Sequence, residues 1–236
     1  MPPCAEHGIA SRPPETQNSI TMKRLLALAL ALALSTVGSV FGALAPIELP
    51  APQKTGGMPL MEALAKRASS RDYDLQRELS PQQLSNLLWA TNGINREDGR
   101  RTAPSASNRQ DIEIYALTKD GAFIYDAKTH KLLPVAEGDM RDLGGTQEFA
   151  KGVPLTLVLI ADLSKQNGDE TARKLTAQID AGYVSQNIYL FCASEGLVTR
   201  ARGSMDRTAI VTRLGLRQDQ SITVGHCVAF PKVKSP

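Results

Sequence analysis

The feature that most constrains the fold is a helical pattern that runs without a break from residue 170 to residue 195. Its apolar residues recur every three or four positions, and its second half is apolar around most of its circumference. Within it, Gly182 permits another backbone to approach closely, and Gly196 follows as a stop signal. We therefore expect a long central helix that is buried on several sides, either by the chain's own sheet or by a second copy.

The rest of the chain carries helix and strand signals that place this helix in a layered domain. A first helix begins after Pro59 and ends near Arg67. A second begins at Ser80, where Pro81 and Gln83 complete a capping box. The remaining predicted elements are a hairpin of strands 112–117 and 122–125, a buried strand 154–161, a short helix 206–214 and a final strand 222–230. This order indicates an α+β fold.

The amino-terminal residues have the pattern of a secretory signal peptide. Met22 is followed by two basic residues, by an apolar run at residues 25–34 and then by small residues. We predict that residues 1–21 are an upstream extension that the native host does not translate. Residues 22–45 are then the signal peptide, with cleavage after Gly42 or nearby, and the protein is exported to the periplasm or secreted. The apolar run is short for a bilayer span, which favours a cleaved signal peptide. An uncleaved membrane anchor is the alternative.

Beyond the signal peptide, residues 46–57 are rich in proline and glycine and are expected to form an extended arm. Residues 58–236 are expected to form one domain, because the roughly 190 residues that follow the signal peptide can bury a sizeable core. The net charge of +3 and the aromatic content of 5% do not indicate nucleic acid or an anionic membrane as a partner. The partner class therefore has to come from the motifs.

The cysteine and histidine residues do not have the spacing of a metal site. There is no Cys-x-x-Cys pair, and the three histidines are scattered. Without the upstream extension, Cys192 and Cys227 remain, each in an apolar stretch. Two buried free thiols are expected, with one disulfide as the alternative in an exported protein.

The first candidate binding segment lies at residues 67–71, just past the first predicted helix. Arg67 and Arg71 are four residues apart, with the hydroxyl of Ser69 between them. Guanidinium groups make planar bidentate contacts with phosphate, to which a serine adds a short donor. The alternative is that basic residues near a helix C-terminus only complement the helix dipole.

The second candidate segment, residues 101–108, follows a polar and arginine-rich loop. Small residues around Pro104 would let the backbone approach a flat ring closely. The amide of Asn108 can both donate to and accept from a heteroaromatic edge. A capped turn before the first strand of the hairpin is the alternative.

The third candidate lies where the long helix ends, at Glu195 and Gly196. Backbone N–H groups at such a break could face a ligand, because glycine permits an unusual φ angle. A simple glycine C-cap is the alternative.

Taken in this order, the three segments resemble the nitroreductase-like flavoprotein family over most of residues 58–231. The nearest branch is that of the FMN-dependent dehydrogenases related to thiazoline and oxazoline oxidases. The residues that match the family's motifs are Arg67, Ser69, Arg71, Arg101, Thr102, Pro104, Ser105, Ala106, Glu195 and Gly196.

The resemblance implies a mixed sheet packed against helices, and FMN bound at the interface of a homodimer. Three residues would contact the FMN phosphate and ribityl chain: Arg67, Ser69 and Arg71. Four would line the flavin of the partner subunit: Pro104, Ser105, Ala106 and Asn108. Two would place backbone N–H groups near the N5 and O4 edge of the ring: Glu195 and Gly196.

In such a protein the flavin carries the chemistry, so no side chain is assigned a catalytic role. The leading hypothesis is an exported FMN-dependent oxidoreductase that moves hydride or electron pairs through the flavin in two half-reactions. Its small-molecule acceptors would be nitro compounds, quinones or oxidisable heterocycles. The alternative hypothesis is a non-catalytic flavin-binding or degenerate dimeric interaction domain.

Overall fold

A seven-stranded sheet carries the fold in the computed structural model, which describes residues 44–233. The strands are β1 (Ile47–Glu48), β2 (Ile112–Leu117), β3 (Gly121–Asp126), β4 (Lys131–Glu137), β5 (Leu155–Asp162), β6 (Val198–Arg202) and β7 (Gln220–Ala229). Their order across the sheet is β1-β4-β3-β2-β5-β7-β6. The predicted upstream extension and nearly all of the predicted signal peptide lie outside the described residues.

Every pairing between these strands is antiparallel, so the mixed sheet that the resemblance implies is wrong in this detail. The reason lies in the connections. Short turns join β2, β3 and β4, and short turns make antiparallel neighbours. The long helix connects β5 to β6, and these two strands run in the same direction. They are not neighbours, because β7 lies between them and runs opposite to both.

The described part of the chain has four α-helices, which match the four predicted ones. They are α1 (Leu60–Lys66), α2 (Pro81–Asn92), α3 (Glu170–Ser194) and α4 (Arg207–Leu214). The capping box of α2 is confirmed, because Ser80 Oγ accepts the N–H of Gln83 and the Gln83 side chain accepts the N–H of Ser80. At α3 and α4 the side chains of Asp169 and Asp206 each accept one backbone N–H, without the reciprocal bond of a capping box.

Alternate residues of the central strands divide the core between the two faces of the sheet. On β2, Ile114 and Ala116 pack on the side of α2 and α3. Tyr115 and Leu117 pack on the opposite side, with α4. This alternation follows from the two-residue period of a strand. The predicted buried strand is confirmed as β5, which is buried along its whole length.

The long helix α3 lies against the sheet with one side and leaves part of the other side uncovered. Its buried apolar residues include Ala181, Val184 and Ile188. The opposite side of its first half is apolar but exposed, at 61% for Leu175, 51% for Ile179 and 48% for Tyr183. We call these three side chains the exposed α3 face. Within one chain, the predicted burial on several sides therefore holds only for the second half of the helix.

Three strands do not follow from the sequence pattern. β1 lies inside the predicted extended arm and pairs with β4. β4 contains Pro134, which lies at a register shift in its pairing with β3, where a missing N–H is tolerated. β6 is an edge strand whose apolar pattern is broken by Arg200 and Arg202. β1 and β6 depend on neighbours that are distant in the sequence, whereas β4 pairs across a short turn with β3.

Candidate functional site

The first predicted binding segment lies between β6 and the second half of α3. The N–H of Ser70 donates to the carbonyl of Thr199 on β6 at 3.1 Å. The guanidinium of Arg67 lies over the ring of Tyr189, 5.4 Å from the ring centre. Ser69 Oγ lies 2.8 Å from the Tyr189 hydroxyl. The segment is therefore held against both the edge strand and the long helix.

Four arginines lie at this place, of which Arg202 on β6 is buried and the other three are partly or fully exposed. The guanidinium carbons of Arg71 and of Arg200 on β6 lie 4.8 Å and 5.9 Å from the centre of the Phe149 ring. Together with Arg67 they form what we call the arginine cluster. Among the described residues, no carboxylate forms a salt bridge with any of the three. Such an unneutralised cluster favours a bound anion, and phosphate matches guanidinium geometry.

The helix-dipole alternative explains only one member of the cluster. Arg67 is the C-cap of α1, where a cation complements the dipole. Arg71 lies beyond the last turn of that helix, and Arg200 lies on a strand. The helix dipole therefore does not account for the position of Arg71 or Arg200.

The second predicted segment forms a tight turn. Ser105 Oγ accepts the N–H of Gln110 at 2.9 Å, and Asn108 Oδ1 accepts from the Gln110 side chain at 3.2 Å. Ser107 and Asn108 have φ angles of 51° and 53°, which are unfavourable for residues with a side chain. The capped turn is thus confirmed as the local structure. A strained backbone of this kind is common at binding sites.

A buried pair of carboxyl groups anchors this turn to α3. The N–H of Ala106 donates to both oxygens of Asp180, at 3.1 and 3.0 Å, while Pro104 before it stays exposed. Asp111 faces the same carboxyl, and no N–H or O–H of another described residue reaches its oxygens. Burial raises the pKa of Asp180 to about 6; the Ala106 N–H opposes this rise and Asp111 adds to it. A bond between the two carboxyls therefore requires a shared proton.

The third predicted element is the C-terminal end of α3. The N–H of Glu195 donates to the carbonyl of Phe191 at 3.0 Å. Gly196 follows with a φ angle of 67°, and the N–H of Leu197 donates to the carbonyl of Cys192 at 2.9 Å. The glycine C-cap is therefore present. The Glu195 N–H is therefore used within the helix, so the expectation that it faces a ligand is wrong. Among the hydrogen bonds of residues 44–233, none is donated by the Gly196 N–H.

A pocket of about 360 Å³ opens beside this helix end and includes Glu195 in its wall. Residues 53–57 of the arm form another wall, and Trp89 and Phe191 contribute aromatic surface. The ammonium of Lys54 lies 5.8 Å from the centre of the Trp89 ring. The pocket thus combines two aromatic side chains with a mainly polar lining that carries charges of both signs, at Lys54 and Glu195.

Only two of the three predicted segments meet in one chain. Tyr189, which contacts the first segment, lies within two helical turns of Gly196. Asp180, which anchors the 105–110 turn, lies about four turns before Glu195, or roughly 22 Å along the helix axis. The turn therefore does not reach the same ligand as the helix end. A contribution from a partner subunit is consistent with this separation and stays a prediction.

The sequence did not reveal the residues that hold the site in place. Tyr189 and Asp180 lie inside the helical pattern, and Arg200 lies on a strand that was not predicted. For Asp180 there was one available signal of such a role, namely a carboxylate placed among the apolar residues of a helix. The role of Tyr189 left no local signal, because its partners come from distant parts of the chain.

The cysteine prediction can be compared with the structure. Cys192 and Cys227 are free and buried, as expected. Among residues 44–233, no group of three or more His, Cys, Asp or Glu side chains could hold a metal ion. No helix in that part of the chain is both long and apolar enough to span a bilayer.

The fold and the site together define a layered α+β domain with an arginine-rich edge beside the second half of its longest helix. This class has a counterpart among known proteins, because the model of the Nitroreductase family matches residues 64–230. The chain belongs to the nitroreductase family.

Individual relatives agree with this assignment. A nitroreductase-family crystal structure from Ralstonia eutropha is 35% identical, with a TM-score of 0.76, and the match covers 83% of this chain and 93% of that one. A nitroreductase homologue from Methanocaldococcus jannaschii is 29% identical over 158 residues, 61% of this chain and 78% of the relative. A structure from Desulfovibrio desulfuricans in complex with FMN shares the fold, with a TM-score of 0.54 and 18% identity, over 77% of this chain and 92% of that one.

Proposed function

We propose that this protein is an FMN-dependent oxidoreductase. The observation that carries the proposal is the arginine cluster, which has no carboxylate partner among residues 44–233 and contacts α3, the helix that ends before the Gly196 N–H. FMN has an anionic phosphate at one end and a flat ring at the other, so it needs both features. Membership of the nitroreductase family supports the proposal, as does the FMN held by the fold relative from D. desulfuricans.

The residues present fit this cofactor. Arg67 and Arg71 would donate to the phosphate, and Ser69 to the phosphate or the ribityl chain. All three side chains are exposed, so their donors are accessible without unfolding any element.

Bound FMN supplies hydride or electron-pair transfer at N5 of its ring. The residues of the chain would bind and orient the flavin ring. They would also hold a hydrogen-bond donor beside the part of the ring where negative charge develops. The Gly196 N–H is fixed by the helix cap, so it can stabilise that charge without reorganising. This arrangement needs no catalytic side chain.

The 104–108 segment is proposed to line the flavin of a partner subunit in a homodimer. Two observations support this. The segment is roughly 22 Å from the helix end in its own chain. The exposed α3 face, on the helix that anchors the segment through Asp180, is apolar and uncovered. Pairing of two such faces would bury it.

Export to the periplasm or the medium is also a proposal, and it rests on the signal pattern at residues 22–45. The structure adds a preference for the cleavage point. The N–H of Leu44 donates to the Glu137 carboxylate at 2.9 Å, and the Leu44 side chain packs against the core. Cleavage after Gly42 keeps these contacts, whereas cleavage after Ala45 removes them.

The pocket beside Glu195 suits a flat acceptor. Trp89 and Phe191 offer aromatic surface, and Lys54 can attract oxygen atoms that carry negative charge. Nitro compounds, quinones and oxidisable heterocycles are flat molecules with polar atoms, so they match both the aromatic surface and Lys54.

Anaerobic photoreduction tests the proposed function. The purified protein should be yellow, lose its flavin absorption on reduction, and regain it within seconds of adding a quinone or a nitroaromatic compound. Reoxidation no faster than that of free FMN would favour the non-catalytic flavin-binding alternative. A protein that takes up no FMN at all would contradict both hypotheses.

A further inference from the structure

One tyrosine of α3 connects the parts of the proposed phosphate site. The ring of Tyr189 lies 5.4 Å from the guanidinium carbon of Arg67. Its hydroxyl lies 2.8 Å from Ser69 Oγ and accepts the N–H of Ala201, the residue after Arg200 on β6, at 2.9 Å. Tyr189 therefore contacts the 67–71 segment and the edge strand at once.

Either hydroxyl of the Tyr189–Ser69 pair can donate, and donation by Tyr189 leaves the hydrogen of Ser69 available. A tyrosine hydroxyl has one hydrogen, and here it accepts the Ala201 N–H with an oxygen lone pair. Its own hydrogen can then be donated to Ser69 Oγ. A serine that accepts in this way keeps its O–H for an anion, so Tyr189 both fixes Ser69 and directs it outward.

The ring of Tyr189 is itself fixed from the core side. The imidazole of His226 meets it edge-on, with ring centres 5.1 Å apart. Ser185 and Thr199 hold that imidazole with hydrogen bonds of 2.7 and 3.1 Å. Burial lowers the pKa of His226 to about 3, so the imidazole is neutral and adds no positive charge beside the cluster.

From these contacts we propose that Tyr189 is a positioning residue for the flavin phosphate. It acts through two neighbours, holding Ser69 by a hydrogen bond and Arg67 by a cation–π contact. The inference rests on the proposed function. It assigns Ser69 to the phosphate and not to the ribityl chain. Tyr189 should therefore matter for FMN and not for riboflavin, which keeps both the ribityl chain and the ring.

Titration of apo-protein with FMN and with riboflavin, which lacks the phosphate, tests this directly by flavin fluorescence. Tyr189→Phe keeps the ring under Arg67 and loses the hydroxyl. The Kd for FMN should rise roughly tenfold, the effect of one lost hydrogen bond, while the Kd for riboflavin stays the same. Tyr189→Leu also loses the ring, so FMN binding should weaken further, again without an effect on riboflavin.

Two controls separate positioning from general stability. Ser69→Ala should reproduce Tyr189→Phe, and the double variant should be no weaker than either single variant, because both changes remove one coupled contact. Tyr125→Phe removes a tyrosine hydroxyl that bonds to His130 at 2.8 Å elsewhere in the fold. It should leave both flavin affinities unchanged.

The outcomes that overturn the inference are distinct from those that overturn the proposed function. Equal losses of FMN and riboflavin affinity in Tyr189→Phe, or additive losses in the double variant, would show a merely structural tyrosine. Wild-type protein that binds FMN no more tightly than riboflavin would remove the phosphate site. Wild-type protein that binds neither would remove the proposed function, and this inference with it.

Discussion

At the scale of single residues, Arg67 and Arg71 carry charges that no described carboxylate neutralises. Replacing either with alanine should weaken FMN binding by about 1–3 kcal/mol, the range for a charge-assisted hydrogen bond. The fold should survive, because both side chains are exposed. Flavin content after purification and the Kd for FMN measure the effect. Arg100→Ala, which removes an exposed arginine paired with Asp98, is the matched control. Full flavin content in the double Arg67/Arg71 variant would exclude this site.

Asp180 predicts an unusual dependence of stability on pH. Its pKa is raised to about 6, mainly by burial, above the ordinary value of 3.8. The folded state therefore binds the proton more tightly than the unfolded state does. This contribution to stability is complete below pH 3.8 and is lost as the pH rises to about 6. The loss should be on the order of 1–3 kcal/mol.

Asp180→Asn should remove this loss. The asparagine carbonyl can still accept the Ala106 N–H, and its NH₂ group can donate to Asp111 without a shared proton. Urea unfolding between pH 4 and 7 should give a flatter profile for the variant, which becomes the more stable protein at pH 7. Asp98→Asn, at an exposed loop position, should keep the wild-type slope. Parallel profiles for wild type and Asp180→Asn would show that the pair does not share a proton.

Residue-level prediction from the sequence succeeded where the signal was local. The Ser80 capping box needs only four consecutive residues, and it is confirmed. The pairing of Asp111 with Asp180, and of Tyr189 with Ser69, joins residues far apart in the chain. Neither pairing could be predicted, because nothing in the local sequence records which distant group will face a side chain.

At the scale of elements, the helices were predictable and part of the sheet was not. The helices carry their own stop and start signals, such as Pro81 at the start of α2 and Gly196 after α3. β4 and β6 are stabilised by pairing with β3 and β7, and their sequences alone do not show it. The antiparallel arrangement also depends on the insertion of β7 between β5 and β6, which is a property of the whole sheet.

The end of α3 gives a prediction at this scale. Gly196→Ala should destabilise the protein by about 1 kcal/mol, because the φ angle of 67° disfavours a Cβ although no neighbouring atom lies within 4 Å of it. The backbone N–H is retained, so FMN should still bind once the protein is folded. Gly203→Ala, which has neither a positive φ nor a close neighbour, is the control. Equal stability of the two variants in urea would contradict the assigned cap.

At the scale of the whole molecule, the exposed α3 face predicts a homodimer. Obligate dimers bury about 2,000–5,000 Å² of largely apolar surface, which a long helix with exposed Leu175, Ile179 and Tyr183 can contribute to. Unfolding should then depend on protein concentration. A flavin-loaded monomer in light scattering at low micromolar concentration would defeat this proposal.

Gly182 offers a sharper test of the same interface. In one chain no atom lies within 4 Å of a Cβ built at this glycine, so Gly182→Ala should not harm the folded subunit and should favour the helix by up to about 1 kcal/mol. If two backbones approach each other here, the same change should weaken dimerisation. Thr212→Ala is the control, because it replaces a weak helix former at an exposed position of α4, away from the exposed α3 face. Sedimentation that gives identical dimer affinities for wild type and Gly182→Ala would place the interface elsewhere.

The central claim is that the chain binds FMN through its phosphate as a dimer, and native mass spectrometry of the protein purified from its host tests this most directly. The account predicts a mass equal to two mature chains with one FMN on each, and release of the FMN when the dimer is dissociated. A protein that carries no flavin and gains none on incubation with FMN would contradict the account.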